Sequence, residues 1–444
     1  MIKRSISDFA RRSALNGSAA VAIALALASL AVRPGLTQDI SGPVEGTIEY
    51  GYWGNARRAE LTEAVSRKFE EAHPGTEVLG IVAEYAAYIE RLTVQAAAGE
   101  LPCVTQTQST FLATYATRGV LIPLDELIQA GKIDISGIPE AILETGRING
   151  HLYMLPTGTF LRLIAYNEAM VAEHNIPLPP SRGDFNEYKE WLLAAQEKLP
   201  DGVYAGENEG ANLFTLYSWI AGHGENFFKD GKLGFDPELL QRYFEFWEDL
   251  RKAGAVIPAD RLDEQFGAIE TTPLSRGHAL SATRDIPQII QVQQTLANAG
   301  LPAEIKFFRN PVVEGAISGN VPGTNGLSIS ASCDNIPTAA AYLDFFSNDP
   351  RAALAFQSAN GVVVSKPAQE ALLSSEATPE SVRESLQTLS EVVADGDVAT
   401  ATYPSGYQTL PTLLRRTYED VALNGRSPEE AAQRFFDEAS RTLR

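Results

Sequence analysis

The sequence has few of the residues and motifs on which many catalytic and metal sites depend. It contains five histidines in 444 residues, and they fall in none of the spacings typical of a metal site. The zinc-protease motif HExxH, the nucleophile motif GxSxG, the P-loop and the dinucleotide motif GxGxxG are all absent. These absences argue against metalloproteases, α/β-hydrolases and nucleotide-dependent enzymes. We therefore expect no cofactor and no metal.

Basic residues are also scarce, because 36 Lys and Arg stand against 56 Asp and Glu, for a net charge of -20. Residues 1–31 carry four basic side chains and one acidic one, so the chain without them carries about -23. A surface this acidic repels nucleic acid and anionic lipid, and neither is expected as a partner. The composition, with 44% hydrophobic and 21% charged residues, is that of a soluble globular protein.

Long apolar runs are missing except near the N-terminus. There, Lys3, Arg4, Arg11 and Arg12 precede an apolar run over 19–32, which is too short to span a bilayer. We interpret residues 1–31 as a cleaved export signal, with Ser29-Leu30-Ala31 as a cleavage site. The Arg11-Arg12 pair leaves twin-arginine export open, although we favour the general secretory route. No cysteine lies nearby to carry a lipid anchor, so we expect a periplasmic protein.

Cysteine is nearly absent, since Cys103 and Cys333 are the only two. An oxidising compartment would allow one disulfide, but the sequence does not show that the two residues meet. Of the two alternatives, we favour buried, unpaired thiols over a disulfide.

An alternation of strand and helix patterns fills the first part of the chain. Strands are predicted at 47–53, 76–82 and 104–107, and helices at 56–72, 85–98 and 112–118. This order predicts a parallel sheet, whose ligands lie beyond the carboxyl ends of the strands. The side chains expected there are those of Trp53, Asn55, Arg57, Glu84, Tyr85 and Gln108.

The segment 148–170 has a different pattern. Asn149-Gly150 predicts a tight hairpin turn, and two strand-like pieces follow at 151–155 and 161–166. Residues 156–159 interrupt them, and Gly158 would supply backbone freedom. We interpret this stretch as a crossover between two lobes, with an ordinary buried hairpin as the alternative.

Several residue blocks resemble one protein family. The pattern NG-x-LY-x-LP…YN over 149–167 is similar to the first hinge crossing of extracellular solute-binding proteins of ABC importers, in the carbohydrate-binding cluster that includes maltose-binding protein. Further blocks resemble the same cluster in the same order. They are FEEAHPGTEV (69–78), YIERLTVQAAAGELP (88–102), GVLIPLDELI (119–128), SRGHALSA (275–282), PGTNGLSIS (322–330), AAAYLDFFSNDPRAALAFQ (339–357) and NGRSPEEAAQRFFDEAS (424–440). Cys103 departs from the family, which usually has an acidic residue there.

The resemblance implies an α/β, two-lobed periplasmic-binding-protein fold with interleaved segments and a hinge. The lobes expected are 44–156 with 306–331, and 157–305 with 332–444. Crossings are expected near 156–160, 306–311 and 331–335. It also implies a monomeric, non-catalytic receptor that delivers a sugar or oligosaccharide to the permease subunits of an importer. The alternative is a secreted polysaccharide-processing hydrolase, because so acidic a chain supplies carboxylate pairs by chance.

Sugar binding needs aromatic platforms and planar polar side chains. Besides the strand-end residues, the candidates are Thr159 at the hinge, Asn325 in the returning segment, and Trp219 and Arg284 in the second lobe. For Trp219 a core position is an equal alternative, since it lies in an aromatic-rich run without clean helical capping. Arg57 and Arg284 would suit the carboxylate of a uronate-containing sugar. Alternatively, Arg57 and Arg58 pair with Glu60 and Glu63 on the helix surface, and the sugar is neutral.

Two features are predicted to be structural. Trp247 lies in an amphipathic pattern that follows Asp236-Pro237, so we expect it in the core. Ser427-Pro428-Glu429-Glu430 is a capping box that begins the terminal helix.

Overall fold

The protein is described by a computed structural model that covers residues 40–399 and 403–443. The predicted export signal, 1–31, lies outside the described residues. Within them, no helix combines the length and the apolar character needed to cross a bilayer.

In the described part of the chain, eight strands form one mixed sheet in the order β2-β1-β3-β12-β6-β10-β7, with β11 paired to β6. Strands β1 to β3 are parallel to one another, whereas β12 is antiparallel to both β3 and β6. Two further strand pairs, β4–β5 and β8–β9, form short hairpins. The strands are β1 (Gly46–Trp53), β2 (Thr76–Ala83), β3 (Val104–Gln108), β4 (Arg147–Ile148), β5 (His151–Leu152), β6 (Leu155–Asn167), β7 (Tyr204–Gly206), β8 (Phe228–Lys229), β9 (Lys232–Leu233), β10 (Ala279–Asp285), β11 (Ile305–Phe308) and β12 (Pro322–Ile329).

Helices cover the sheet, and short 3-10 turns lie between several of them. They are α1 (Ala56–Ala72), α2 (Tyr85–Ala98), α3 (Ser109–Ala116), α4 (Asp125–Gln129), α5 (Glu140–Leu143), α6 (Glu168–Glu173), α7 (Phe185–Gln196), α8 (Leu213–Gly222), α9 (Pro237–Lys252), α10 (Ile289–Asn298), α11 (Ile336–Asn348), α12 (Pro350–Phe356), α13 (Lys366–Ser374), α14 (Glu380–Ala394), α15 (Leu410–Ala422) and α16 (Pro428–Thr442).

Local signals account for the helices nearest the predicted site. The Asn55 side chain accepts a hydrogen bond from the Arg58 amide and begins α1 at the predicted residue. Gly99, with φ of 72°, ends α2 in the left-handed conformation that glycine adopts without strain. Both helices have the predicted bounds. Helix α3 begins three residues earlier than predicted, directly after β3.

The predicted interruption at 156–159 is wrong, because β6 runs without a break from Leu155 to Asn167. Strand β12 pairs with it along this length, and a register shift between Asn325 and Gly326 lets the pairing pass Pro156. Gly158 is needed for close packing, since a Cβ there would lie 2.6 Å from the Asn360 carbonyl oxygen. The predicted turn at Asn149-Gly150 is confirmed between β4 and β5.

Two large cores lie on the two halves of the sheet, which we call the first and second lobes. The first-lobe core packs β1, β3 and β12 against α1, α11 and α12. The second-lobe core packs α7, α8, α9, α15 and α16 around the far end of the sheet. Strand β6 contributes to both cores, with Leu155 in the first and Ile164 in the second.

Two segments lie differently from the expected lobe boundaries. Helices α11 and α12, expected in the second lobe, pack in the first-lobe core, where the rings of Tyr342 and Tyr50 are 5.5 Å apart. Strand β11, most of which was expected in the first lobe, pairs with the second-lobe end of β6. The exact lobe boundaries stay a prediction.

Cys103 and Cys333 form a disulfide, so the expectation of unpaired thiols is wrong. Their Cα atoms are 4.4 Å apart, although 230 residues separate them along the chain. The cause is the pairing of β3 with β12, which brings the residue before one strand beside the segment after the other. The Ser330 amide donates to the Cys103 carbonyl oxygen at 3.0 Å at the same place.

The core position predicted for Trp247 is confirmed, and of the capping box predicted at 427–430 the N-cap hydrogen bond is present. Trp247 lies in the second-lobe core on α9 and is 2% exposed. Ser427 accepts a hydrogen bond from the Glu430 amide at 3.2 Å at the start of α16.

Candidate functional site

The carboxyl ends of β1, β2 and β3 bring three of the predicted residues together. The rings of Trp53 and Tyr85 meet edge to face at 5.5 Å, and the Tyr85 hydroxyl donates to Gln108 Oε1 at 3.4 Å. Tyr85 is 45% exposed and offers an accessible aromatic ring. Asn55 and Glu84 are exposed beside them, where they precede α1 and α2. These strand ends therefore form one surface of mixed aromatic and polar character.

Trp53 is the more deeply placed of the two aromatic residues. It is 9% exposed and packs against Tyr85, Tyr88 and Phe111. Its amide donates to the side chain of Gln106 at 3.3 Å. Trp53 thus supports the exposed ring of Tyr85 and presents only a small part of its own surface.

Thr159, which was predicted at the hinge, and Asn325 lie on the paired strands β6 and β12. Thr159 is fully buried, and its hydroxyl donates to the Gly323 carbonyl oxygen at 3.0 Å. Asn325 lies opposite Gln108 in the sheet and donates through Nδ2 to the Asn360 carbonyl oxygen at 2.9 Å. Its Oδ1 accepts no hydrogen bond from the described residues. Asn325 therefore adjoins the strand-end surface, whereas the hydroxyl of Thr159 is committed to holding β6 to β12.

A cavity of about 380 Å³ lies at the carboxyl end of β10, between the first turn of α8 and the first turns of α15. Phe214 and Phe266 line it, and Phe266 is 40% exposed. The Arg162 guanidinium lies 3.2 Å from the centroid of the Phe214 ring and is 2.7 Å from Asp285. The cavity therefore offers aromatic rings beside planar polar groups, as the first-lobe surface does.

Sequence reasoning missed most of this second-lobe lining. Arg162, Phe214, Gln265 and Phe266 carry no motif, and their proximity depends on contacts between distant segments. The available signal was Asn212, whose side chain accepts from the Phe214 amide and caps α8. The aromatic-rich run around Trp219 contains no capping residue because α8 begins upstream of it, at the Asn212 cap.

Arg284 lines the same cavity, but its charge is already matched. Its Nη2 is 2.5 Å from the Glu207 carboxylate, and both side chains are almost fully buried. Burial raises the pKa of Glu207, and the neighbouring guanidinium opposes that shift. The Nε of Arg284 has no hydrogen-bond partner among the described residues, and neither does Gln265 Oε1. Arg284 can thus donate one further hydrogen bond, but it does not supply an uncompensated charge.

The remaining two candidates, Arg57 and Trp219, each have a partner of their own. Arg57 is exposed and pairs with Glu60 at 2.8 Å, as the surface alternative expected. Trp219 lies in the second-lobe core, where it is 6% exposed and its indole nitrogen donates to the Leu239 carbonyl oxygen at 3.2 Å. The contacts of Trp219 are those of the core alternative.

The lobes contact each other beside these surfaces. A second cavity of about 460 Å³ is lined by Ser109 and Asn149 from the first lobe and by Phe228 and Tyr403 from the second. Gln408 donates to the Thr110 carbonyl oxygen at 3.1 Å across the same boundary. Among the described residues, no group of three or more His, Cys, Asp and Glu side chains is arranged to hold a metal ion.

The profile of bacterial extracellular solute-binding proteins matches residues 64–381 of the chain. The chain belongs to this family. Its fold is shared by solved structures at low identity. An extracellular solute-binding protein family 1 member from Alicyclobacillus acidocaldarius is 23% identical, with a TM-score of 0.72 over 90% of this chain and 99% of that one. A periplasmic oligogalacturonide-binding protein from Yersinia enterocolitica, in complex with saturated digalacturonic acid, is 20% identical. Its TM-score is 0.72, over 89% of this chain and 98% of that one.

A third similar structure is an ABC substrate-binding protein from Listeria monocytogenes in complex with cycloalternan. It is 17% identical, with a TM-score of 0.71 over 90% of the solute-binding protein described here and 99% of the Listeria chain. The predicted family and the predicted two-lobed α/β fold are confirmed. The role is that of a solute-binding receptor, and family membership gives no support to the hydrolase alternative.

Proposed function

We propose that this protein captures a sugar or oligosaccharide between its two lobes and delivers it to the permease subunits of an ABC importer. The observation that carries the proposal is the matched chemistry of two surfaces at strand ends. Tyr85 and Gln108 on the first lobe, and Phe266 and Gln265 on the second, each combine an aromatic ring with a planar polar group. A sugar ring has an apolar face and a rim of hydroxyls, and it needs both kinds of contact.

The similar structures support the same class of ligand. Their names record digalacturonic acid in one and cycloalternan in another, which are both carbohydrates. The contacts proposed for this chain are the Trp53–Tyr85 aromatic pair, Asn55, Glu84, Gln108 and Asn325 from the first lobe. Phe214, Gln265, Phe266 and the free Nε of Arg284 contribute from the second.

Closure of the lobes follows from this arrangement. A sugar that contacts both surfaces stabilises the closed form, because only that form reaches it from both sides. The protein acts as a periplasmic monomer after removal of residues 1–31, and its closed face docks on the permease.

A thermal-shift screen with neutral and acidic mono- and oligosaccharides tests ligand class, since saturating ligand raises the free energy of unfolding by a few kcal/mol. Small-angle scattering with a sugar that binds should then give a smaller radius of gyration. Incubation of the pure protein with the same oligosaccharides should give no products. A screen without any stabilising sugar, or products in that incubation, would contradict the proposal.

A further inference from the structure

Arginines near the two surfaces differ in whether a carboxylate already neutralises them. Most have a partner at ion-pair distance, so they add no net positive charge to a ligand site. These pairs are Arg57–Glu60 at 2.8 Å, Arg162–Asp285 at 2.7 Å, Arg284–Glu207 at 2.5 Å and Arg415–Glu419 at 2.9 Å. Arg58 is the exception, because no carboxylate of the described residues lies within ion-pair distance of it.

Arg58 is held in a partly buried position at the end of β1. Its stem lies over Gly54, where a Cβ would be 2.8 Å from the Arg58 Cδ. The guanidinium carbon lies 5.4 Å from the centroid of the Trp53 ring and 5.9 Å from that of Phe356. Burial lowers the pKa of Arg58 to about 10, and the titratable groups that act on it are the tyrosines Tyr50, Tyr52 and Tyr88 rather than carboxylates. A cation removed from water without a counterion is unfavourable, and an anion at this place would offset that cost.

Further polar groups without partners lie around the same strand ends. Gln106 is 0% exposed, and its Oε1 accepts from the Trp53 amide while its Nε2 has no acceptor among the described residues. The Arg58 Nε is likewise buried without an acceptor, and so is the Ser358 hydroxyl just after Phe356. Buried polar groups in folded proteins are normally paired. Of these groups, the guanidinium of Arg58 belongs to a side chain that is only partly buried, so it is a donor that another molecule can reach.

We infer that Arg58 receives a carboxylate of the bound sugar at the carboxyl end of β1, with Trp53 beneath its guanidinium. This inference rests on the proposed function and narrows its ligand to sugars that carry a carboxylate, such as uronates. The planar guanidinium can donate two parallel hydrogen bonds to a carboxylate, and its position in the first turn of α1 adds the favourable field of the helix N-terminus. Arg57 and Arg284 do not serve this purpose, because their charges are matched by Glu60 and Glu207.

The test compares digalacturonate with galactobiose, its neutral counterpart, by isothermal titration calorimetry. The wild type should bind digalacturonate at least about tenfold more tightly than galactobiose, because a hydrogen bond to a charged group contributes that much or more. Arg58→Gln should lose at least about tenfold in affinity for digalacturonate while its affinity for galactobiose changes less than about twofold. The matched control is Arg67→Gln, which removes an exposed arginine further along α1 and should change neither affinity.

Arg58→Lys keeps the charge but loses the paired hydrogen bonds, so it should bind digalacturonate with an affinity between those of the wild type and Arg58→Gln. This variant decides the test if Arg58→Gln does not fold by circular dichroism. Digalacturonate and galactobiose binding equally well to the wild type and to the Arg58 variants would overturn the role of Arg58 but leave sugar capture standing. No binding of either sugar, together with a failed screen of other neutral and uronate oligosaccharides, would overturn both.

Discussion

The buried ion pair between Arg284 and Glu207 makes a strong prediction about stability. Arg284→Met removes the guanidinium but leaves the Glu207 carboxylate, whose side chain is 1% exposed. One partner that Glu207 keeps is the Leu274 amide, which donates to it at 3.1 Å. Removing one member of a buried pair typically costs about 3–5 kcal/mol of unfolding free energy, because the remaining charge is uncompensated.

The expected loss depends on pH, and its sign follows from the pKa of Glu207. Burial raises this pKa in the wild type, and the loss of Arg284 raises it further. An acid whose pKa is higher in the folded protein than in the unfolded one stabilises the fold at low pH, where the acid is protonated in both states. That contribution is lost as pH rises from the unfolded value of about 4.3 through the folded one. The Arg284→Met variant should therefore lose stability relative to the wild type as pH rises from the folded pKa of Glu207 in the wild type to its higher folded pKa in the variant, by up to about 1.4 kcal/mol per pH unit.

Chemical denaturation followed by tryptophan fluorescence across this pH range measures the effect. The control is Arg67→Met, which removes an exposed arginine whose partner Glu63 is also exposed, and it should cost less than about 1 kcal/mol at every pH. The double variant Glu207→Gln/Arg284→Met should regain stability relative to Arg284→Met at pH 7, because no buried charge remains. If Arg284→Met differed from the wild type by less than about 1 kcal/mol at pH 7, without dependence on pH, the uncompensated charge of Glu207 would not govern the stability of the variant.

Two further predictions follow from the aromatic pair and the disulfide. Trp53→Ala should lower sugar affinity at least about tenfold while the protein stays folded, because it removes the support of the Tyr85 ring. Calorimetry measures the affinity and circular dichroism the folded state, and an unchanged affinity would remove Trp53 from the site. Cys103→Ser opens a loop of 230 residues, and it should lower the unfolding free energy by up to about 5 kcal/mol on chain-entropy grounds. Denaturation of the wild type with and without reductant should reproduce that loss, and equal midpoints would show that the disulfide adds no stability.

The first-lobe elements were predictable because their signals are local. Helix α1 begins at the Asn55 cap, α2 ends at Gly99, and strand β1 stops where its alternation stops. Once these elements are placed, the parallel order brings Tyr85 and Gln108 to the same sheet edge. Propensity and chain order alone are sufficient for that part of the site.

The features that were missed or wrong depend on pairings between distant residues. The break expected near Gly158 follows from local turn signals, but pairing with β12 over the whole length keeps β6 continuous. The guanidinium of Arg284 was expected to be free, but it forms an ion pair with Glu207, which lies 77 residues earlier in the chain. No periodicity or spacing in either segment contains that information.

The position of β12 also determines when the protein can fold. This strand lies between β3 and β6 and hydrogen-bonds to both, yet it follows β6 by more than 150 residues. While those residues are still being made, the sheet lacks the strand that joins β3 to β6, and the closure of so long a loop slows folding. The sheet therefore cannot be completed until residues 322–329 are available. Late completion of the sheet would suit the general secretory route favoured by the sequence, because that route exports chains before they fold.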